Sequence, residues 1–177
     1  GAVNTAVIVI SGAPNSAAVE QWNGTGWTEI AELNVNKESG TSAGTVTSGI
    51  TMGGIISTPA KTAQTEIWNG TSWTEVNDLN TARARLSGAG TSSALALVAG
   101  GATAPGAVSA LSEAWDGTSW TETSDLATAR YGLTGGGGGS PNTIALASGG
   151  LTGPAAGVTN VEEWSAPDVV IKTVTDS

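Results

Sequence analysis

Four glutamates recur along the chain at nearly equal distances, and paired carboxyl groups are the acid and the nucleophile of glycoside hydrolases. Each stands two residues before a tryptophan: Glu20, Glu66, Glu113 and Glu162. A basic residue follows the tryptophans of the first three units: Lys37, Arg83 and Arg130. A catalytic pair normally occurs once, whereas these residues return in every unit. The recurrence predicts no catalytic site, but structural hydrogen bonds and ion pairs within each unit. The predicted partner of each base is a glutamate or an aspartate of the same unit, with Asp78 and Asp125 as the named aspartates.

Tryptophan is the second recurring residue type, and an exposed indole can stack on the face of a sugar. The first tryptophan of each unit recurs at spacings of 46, 47 and 49 residues: Trp22, Trp68, Trp115 and Trp164. Three units carry a second tryptophan five residues later: Trp27, Trp73 and Trp120. Repetition at one position predicts packing between units for the second tryptophan. For the first tryptophan, packing and a carbohydrate platform both remain open.

Two other motifs have chemical interpretations that their context disfavours. Gly135–Gly139 resembles a phosphate-binding loop, but no Gly-Lys-Ser/Thr follows it, so a flexible loop at the edge of a unit is predicted. Asn-Gly-Thr at Asn23 and Asn69 matches the glycosylation acceptor pattern. The third copy has Asp116 there, which cannot be glycosylated but makes the same turn. A shared turn therefore explains all three copies.

The composition excludes several classes of function. The 177 residues include no Cys and no His, which removes thiolate metal sites and the commonest general base. The net charge is −9 and the six basic residues are not clustered, so nucleic-acid binding is not expected. No apolar run approaches the roughly 18–20 residues that span a bilayer, and no membrane insertion is predicted. No calcium-loop pattern occurs. We predict no metal and no cofactor.

The repeated residues belong to units of about 47 residues. Glu66–Arg83 and Glu113–Arg130 are identical at 13 of 18 positions, which indicates internal duplication. Before each glutamate, an apolar run ends in two small residues, which in the last three units are glycine pairs: Gly53 and Gly54, Gly100 and Gly101, Gly149 and Gly150. Glycine pairs let the backbone pass close to a neighbour because no Cβ stands in the way.

Each unit is predicted to form four short strands and no helix, except that the first unit has no segment that corresponds to the first strand. The first strand follows the basic residue, the second is the apolar run, the third ends at the first tryptophan, and the fourth begins at the second tryptophan. Asn-Gly or Asp-Gly lies between the last two strands and predicts a type I′ hairpin turn, with positive φ at both central residues. The pattern of strands and turns indicates an all-β protein.

Four strands in about 47 residues is the pattern of β-propeller blades, and the order of markers resembles the kelch repeat. The tryptophans Trp22, Trp68, Trp115 and Trp164 take the place where kelch repeats usually have tyrosine. The resemblance implies a kelch-like β-propeller with four-stranded antiparallel blades. It divides residues 1–164 into repeats, with units of about 1–36, 37–82, 83–129 and 130–177, and makes 165–177 an atypical closing strand.

Enzymes with propeller folds need residues that this chain lacks. Kelch-fold copper oxidases require Tyr, His and Cys ligands, and two of these residue types are absent. Sialidase-type propellers require three arginines around a carboxylate. The chain has only Arg83, Arg85 and Arg130, of which two are repeat positions. We therefore predict that the protein is not an enzyme.

A narrower likeness suggests where such a protein acts. Segments such as TEIWNGTSWTEVNDLNTAR and VEEWSAPDVVIKTVTDS resemble kelch-like repeat proteins of tailed bacteriophages of marine bacteria. That resemblance implies a structural protein of the virion exterior, as a fibre, decoration or tail-associated module that contacts copies of itself or other virion proteins. The alternatives are an adhesin that binds host-surface glycan and a cytoplasmic kelch adaptor.

The loops between the second and third strands vary in length and sequence, so they are the predicted contact surface. They are Ala13–Val19, Ile55–Thr65, Ala102–Ser112 and Leu151–Val161. Three to four blades are visible, with a last strand predicted within Val169–Thr175, whereas kelch propellers usually have six or seven. Three explanations stay open: part of a longer propeller, a closed four-bladed ring, or completion by another copy.

Overall fold

All regular structure in the described residues is β. The computed structural model describes residues 6–136, 144–165 and 172–174, with strands joined by turns and no helix. The strands are β1 (Val7–Ile10), β2 (Val19–Trp22), β3 (Trp27–Glu29), β4 (Thr41–Thr45), β5 (Ser48–Ser57), β6 (Ala60–Trp68), β7 (Trp73–Val76), β8 (Ser87–Ser92), β9 (Leu95–Ala99), β10 (Ala102–Ala104), β11 (Ala107–Val108), β12 (Ser112–Trp115), β13 (Trp120–Thr123), β14 (Thr134–Gly136), β15 (Ile144–Ser148), β16 (Val161–Ser165) and β17 (Lys172–Val174).

The strands form four main antiparallel sheets and one small hairpin. Sheet 1 has the order β1-β2-β3, sheet 2 the order β4-β5-β6-β7, sheet 3 the order β8-β9-β12-β13, and sheet 4 the order β14-β15-β16-β17. The pair β10-β11, which lies between β9 and β12 in the chain, forms a separate two-stranded sheet. The predicted all-β class with four strands in a unit is therefore confirmed for sheets 2, 3 and 4, whereas sheet 1 has three strands.

The turn between the third and fourth strands differs from the predicted type I′ turn. Trp22 pairs with Trp27, so the connection has four residues, and of these only Gly24 has a positive φ, 95°. The Oδ1 atom of Asn23 accepts hydrogen bonds from the backbone N–H groups of Thr25, at 2.9 Å, and Gly26, at 3.1 Å. The asparagine side chain thus closes the turn itself. Two positive φ values are not needed.

Consecutive sheets pack against each other through apolar faces. Between sheets 1 and 2 the buried residues are Ala17, Val19, Leu33, Trp68 and Trp73. Between sheets 2 and 3 they are Ile50, Met52, Leu79, Leu86, Ala96, Val98, Trp115 and Trp120. The first strands of sheets 2, 3 and 4 lie side by side, with β8 between β4 and β14. The core is therefore divided into two clusters, one at the interface of sheets 1 and 2 and one at the interface of sheets 2 and 3.

The glycine pairs occur where two chain segments come close together. Gly53 has a φ of +62°, and a Cβ added there would lie 2.6 Å from the carbonyl oxygen of Arg83. The next residue, Gly54, donates its N–H to that same oxygen at 2.8 Å. Gly100 and Gly101 contact the carbonyl oxygen of Arg130 in the same way. The glycines thus admit the segment that carries the basic residue, as predicted from the missing Cβ.

Several predicted loops contain strands. Most of the segment 55–65 belongs to β5 and β6, whose pairing continues to Ser57 and Ala60, and 102–112 contains the β10-β11 hairpin. Gly135 and Gly136 lie in β14 instead of a flexible loop. The rest of the glycine run and most of the predicted final strand lie outside the described residues. Lys172–Val174 pairs antiparallel with β16.

No membrane-spanning helix occurs in the ranges described above.

Candidate functional site

An extensively hydrogen-bonded polar cluster surrounds an ion pair between sheets 2 and 3. The Nη2 atom of Arg83 donates to Oε1 of Glu113 at 2.7 Å, and Nη1 donates to the carbonyl oxygen of Leu111 at 2.7 Å. The backbone N–H of Arg83 donates to Thr62 in sheet 2. The arginine thus has its main chain on sheet 2 and its side chain on sheet 3. We call the repeated pairs clamp 1 (Lys37–Glu66), clamp 2 (Arg83–Glu113) and clamp 3 (Arg130–Glu162).

The second carboxylate oxygen of Glu113 is also bonded across the interface. It accepts the backbone N–H of Asn80 at 2.7 Å and the side-chain amide of Asn80 at 2.9 Å. Arg83 and Glu113 are 0% and 2% exposed, so the charged pair is removed from water. Burial lowers the pKa of Arg83, while the negative charge of Glu113 acts in the opposite direction. Arginine nevertheless stays protonated at any ordinary pH.

Clamps 1 and 3 repeat this arrangement with differences. In clamp 3 Arg130 donates to Glu162 and to the carbonyl oxygen of Ala147, and Ala127 donates only its backbone N–H to the glutamate. In clamp 1 Asn34 donates to Glu66 at 2.8 and 2.9 Å, as in clamp 2.

Clamp 1 also has the weaker ion pair. The Nζ atom of Lys37 lies 3.8 Å from Oε1 of Glu66, and neither atom has a hydrogen-bond partner. Burial lowers the pKa of Lys37, against the opposing charge of Glu66.

The predicted ion-pair partners Asp78 and Asp125 have another role. Asp78 accepts the backbone N–H of Thr65 at 3.3 Å, and Asp125 accepts that of Ser112 at 3.1 Å. Each aspartate follows the fourth strand of its sheet, and its side chain accepts a backbone N–H of the third strand at the end of the pairing between these two strands. The glutamate lies across the interface and is therefore the group that the base reaches. The prediction of a glutamate as the partner of the base is confirmed, and the named aspartates were wrong.

Asn34 and Asn80 were missed by the sequence analysis. The available signal was an asparagine that directly follows the repeated leucine and stands three residues before the base. In the third unit Ala127 occupies the position, so the pattern is present in only two of three units.

The first tryptophans of the second and third units, Trp68 and Trp115, are packing residues. Trp68 and Trp115 are 3% and 2% exposed, and their Nε1 atoms donate to backbone carbonyl oxygens within their own sheets at 2.9 Å. Each lies against the second tryptophan of its unit, with ring centroids 5.2 and 5.3 Å apart. These two indoles therefore offer no face to a sugar. Trp22 and Trp164 are half-buried.

The second tryptophans contact the preceding sheet. Nε1 of Trp120 donates to Oγ1 of Thr65 in sheet 2 at 3.2 Å. Nε1 of Trp73 has no partner, because Val19 occupies the position in sheet 1 that Thr65 occupies in sheet 2. Trp27 is 49% exposed, in contrast to the packing predicted for it. No described sheet lies before sheet 1 to cover this side chain.

The two end sheets each have one uncovered face. The face of sheet 1 away from sheet 2 carries Val9, Glu20 and Trp27, and we call it the first end face; Glu20 is exposed and has no ion pair among the described residues. The face of sheet 4 away from sheet 3 carries Ile144 and Leu146, and we call it the last end face. Val9, Ile144 and Leu146 are 48%, 52% and 49% exposed.

A cleft opens between the predicted contact loops. Its polar lining residues include Glu38, Lys61, Arg85 and Tyr131, and its walls include the β10-β11 hairpin. The guanidinium carbon of Arg85 lies 5.8 Å from the centre of the Tyr131 ring, which is a cation–π distance. This cleft combines charged groups, an aromatic ring and apolar walls, as small binding sites do.

Comparison with known proteins supports the fold only. No protein-family model matches the chain, and no curated protein matches its sequence. A solved structure titled "Structure of YjhT" superposes with a TM-score of 0.75 at 14% sequence identity. The match covers 90% of this chain and 52% of that one, so the chain spans about half the length of the solved structure. The fold and the clamps define an all-β protein of consecutively packed antiparallel sheets.

Proposed function

We propose that this chain is a non-enzymatic structural and interaction module made of kelch-like β-propeller blades. The observation that carries the proposal is the use of the repeated ionisable groups. Glu66, Glu113 and Glu162 are buried and hydrogen-bonded across sheet interfaces, and each forms an ion pair with a buried base. A catalytic acid must reach its substrate. These carboxyl groups contact neighbouring sheets instead, which supports a scaffold.

The end faces support self-assembly of this scaffold. The first end face presents the tryptophan and glutamate positions that sheets 2 and 3 bury against the sheet before them. The last end face presents the strand that sheets 1 and 2 bury against the sheet after them. The two faces are thus the two halves of an interface that the chain forms internally between sheets 1, 2 and 3. We propose that these faces bind the complementary faces of a second copy of the chain.

Assembly of this kind suits a protein of the virion exterior. We propose a fibre, decoration or tail-associated module of a tailed bacteriophage, on the basis of the sequence resemblance described above. The loops around the cleft then face outward from a rigid frame and differ from unit to unit.

Sedimentation velocity over a range of concentrations tests the assembly. We expect dimers or larger species, and we expect Trp27→Ser with Leu146→Ser to give monomers of unchanged thermal stability. Thr28→Ser is the matched control, because Thr28 lies on the opposite face of β3. A monomer at all concentrations that keeps Trp27 exposed to quenchers contradicts the proposal. Antibody labelling of intact virions tests the location.

A second function, binding of host-surface glycan, is favoured by one observation. Tyr131 lines the cleft and is only half-buried, so its ring is accessible to a ligand. A glycan array with the 177-residue chain tests this alternative. Specific binding that is lost in Tyr131→Ala and kept in Trp27→Ser supports an adhesin.

A further inference from the structure

Among the side chains that the structure describes, the positive charge outside the clamps lies in the cleft. Clamps 1, 2 and 3 bury Lys37, Arg83 and Arg130, and a further base, Lys172, belongs to β17. The remaining two of the six basic residues, Lys61 and Arg85, both line the cleft. Neither forms an ion pair among the described residues. With Glu38, the charged side chains of the cleft sum to about +1, on a chain whose net charge is −9.

Arg85 is held in a backbone conformation that disfavours a long side chain. Its φ is +55°, in the left-handed region. The equivalent positions are Ser39, with φ +56°, and Gly132, with φ +63°. The repeat therefore requires this conformation, and glycine satisfies it without strain. An arginine at this position is not explained by the frame, and strained residues of this kind concentrate at binding sites.

The neighbouring positions also depart from the repeat. The residue directly after the base is Glu38, Ala84 or Tyr131 in the three units. The two larger side chains, Glu38 and Tyr131, both line the cleft. The clamps need none of these side chains. The residues that vary between units are thus gathered around a single opening, while those that repeat hold the sheets.

Beside its charged residues, the cleft is lined mainly by apolar side chains. They include Ile55, Val108 and the prolines Pro59, Pro105 and Pro154. The volume is about 320 Å3, at the small end of ligand-binding clefts, so a few residues of a chain fit and a folded domain does not. Tyr131 has Arg85 over its ring, which leaves less of that surface for stacking. Few hydroxyl partners line the walls, and this favours a peptide over a sugar.

We propose that this cleft binds an extended acidic peptide segment of a protein partner. The carboxylate of a glutamate or aspartate in that segment accepts hydrogen bonds from Arg85 and forms an ion pair with Lys61. Its apolar neighbours pack against the prolines and Val108. Glu38 accepts the backbone N–H of Asn15 at 3.4 Å, and its charge disfavours a second acid beside the first. The inference rests on the proposed interaction function and specifies the partner's chemistry.

The experiment compares two peptide libraries on the immobilised 177-residue chain. Both are capped heptapeptides with random flanking residues, and the central residue is glutamate in one library and glutamine in the other. We expect at least fivefold greater retention of the glutamate library, and we expect the difference to shrink as salt rises from 50 mM to 500 mM, because the ion pair is solvent-accessible.

Arg85→Gly separates binding from folding. Because glycine suits the left-handed backbone, we expect unchanged or higher thermal stability, with about ten- to a hundredfold weaker binding of the selected peptides. Lys61→Ala should weaken binding less. The matched control is Ser39→Gly, the same change at the equivalent position, which should leave binding intact.

Three results would overturn the inference: equal retention of the two libraries, unchanged binding by Arg85→Gly, or retention of a glucuronate oligosaccharide instead of the peptides. The end faces do not include Arg85, so assembly measured on this variant reports separately on the proposed scaffold.

Discussion

Clamp 2 and clamp 1 occupy equivalent positions, yet only in clamp 2 do the base and the acid share a hydrogen bond. The Arg83 guanidinium reaches both Glu113 and the carbonyl oxygen of Leu111, whereas the Lys37 ammonium stops 3.8 Å short of Glu66. The same interface as clamp 1 also leaves Nε1 of Trp73 without the acceptor that Trp120 finds in Thr65. The planar guanidinium of an arginine can donate to two acceptors at once, whereas the compact ammonium of a lysine does not reach both from the same position. The repeat is therefore best formed between sheets 2 and 3 and weaker between sheets 1 and 2.

The largest effect is expected when clamp 2 loses its acid. Glu113→Gln leaves the buried Arg83 without a counter-charge, so we expect a loss of about 3–5 kcal/mol in the free energy of unfolding. Urea denaturation followed by tryptophan fluorescence measures it. Glu20→Gln is the matched control, because Glu20 is the exposed equivalent, and it should cause no measurable change. Equal losses in the two variants would mean that the clamp does not stabilise the interface.

Loss of the Trp120 hydrogen bond should have the next largest effect. Thr65→Val removes the acceptor and leaves a buried indole N–H unpaired, which costs about 1–2 kcal/mol. Val19→Thr is the reciprocal change at sheet 1, where it offers Trp73 the acceptor that it lacks. We expect Val19→Thr to be neutral or stabilising in the same urea measurement. A destabilisation equal to that of Thr65→Val would refute the role assigned to this hydroxyl.

A smaller gain is expected from converting clamp 1 to the geometry of clamp 2. Lys37→Arg allows two donors to reach Glu66 and the carbonyl oxygen of Gln64, the position equivalent to Leu111. We expect a stabilisation of about 1 kcal/mol, measured by thermal unfolding at neutral pH. Arg83→Lys, the reverse change, should destabilise. If both variants lose stability, the difference between the two clamps has another origin.

The smallest effect concerns the turn at Asp116. Backbone N–H groups of Ser119 and Thr118 lower the pKa of its carboxyl below the usual 3.8. A lowered acid pKa contributes stability that is present above pH 3.8 and lost as pH falls through the folded-state pKa. Asp116→Asn matches the other two turns and cannot titrate there. Thermal unfolding between pH 2 and 6 should show the wild-type chain losing its advantage over this variant in acid.

Much of the frame followed from the sequence because its signals repeat. The glycine pairs, the apolar runs and the positions of Trp68 and Trp115 recur with the sheets, and each repetition confirms the others. The sequence predicted a glutamate or an aspartate of the same unit as the partner of each base, and it did not choose between them, since sequence distance cannot show which carboxylate the fold brings within reach of the base. The turn type was also wrong, because the Asn23 side chain replaces backbone geometry that the Asn-Gly pattern assumes.

The cleft was the least predictable feature. Arg85 and Tyr131 are 46 residues apart and belong to different units, so only the packed sheets bring them together. Lys61 belongs to the predicted contact loop Ile55–Thr65, whereas Arg85 belongs to the segment after a base and meets the loops only in space. The available signal was that Arg85 and Tyr131 differ from the equivalent residues of the other units, at positions that do not belong to the clamps.

A double-mutant cycle on clamp 2 tests the central claim, that the repeated charges hold neighbouring sheets together. Arg83→Met, Glu113→Leu and the double variant are compared with the wild-type chain by urea denaturation. We predict that the double variant is more stable than the sum of the single losses implies, with a coupling energy of about 2–3 kcal/mol. Losses that add within about 0.5 kcal/mol would contradict the account, because they would show that the two groups stabilise the fold independently.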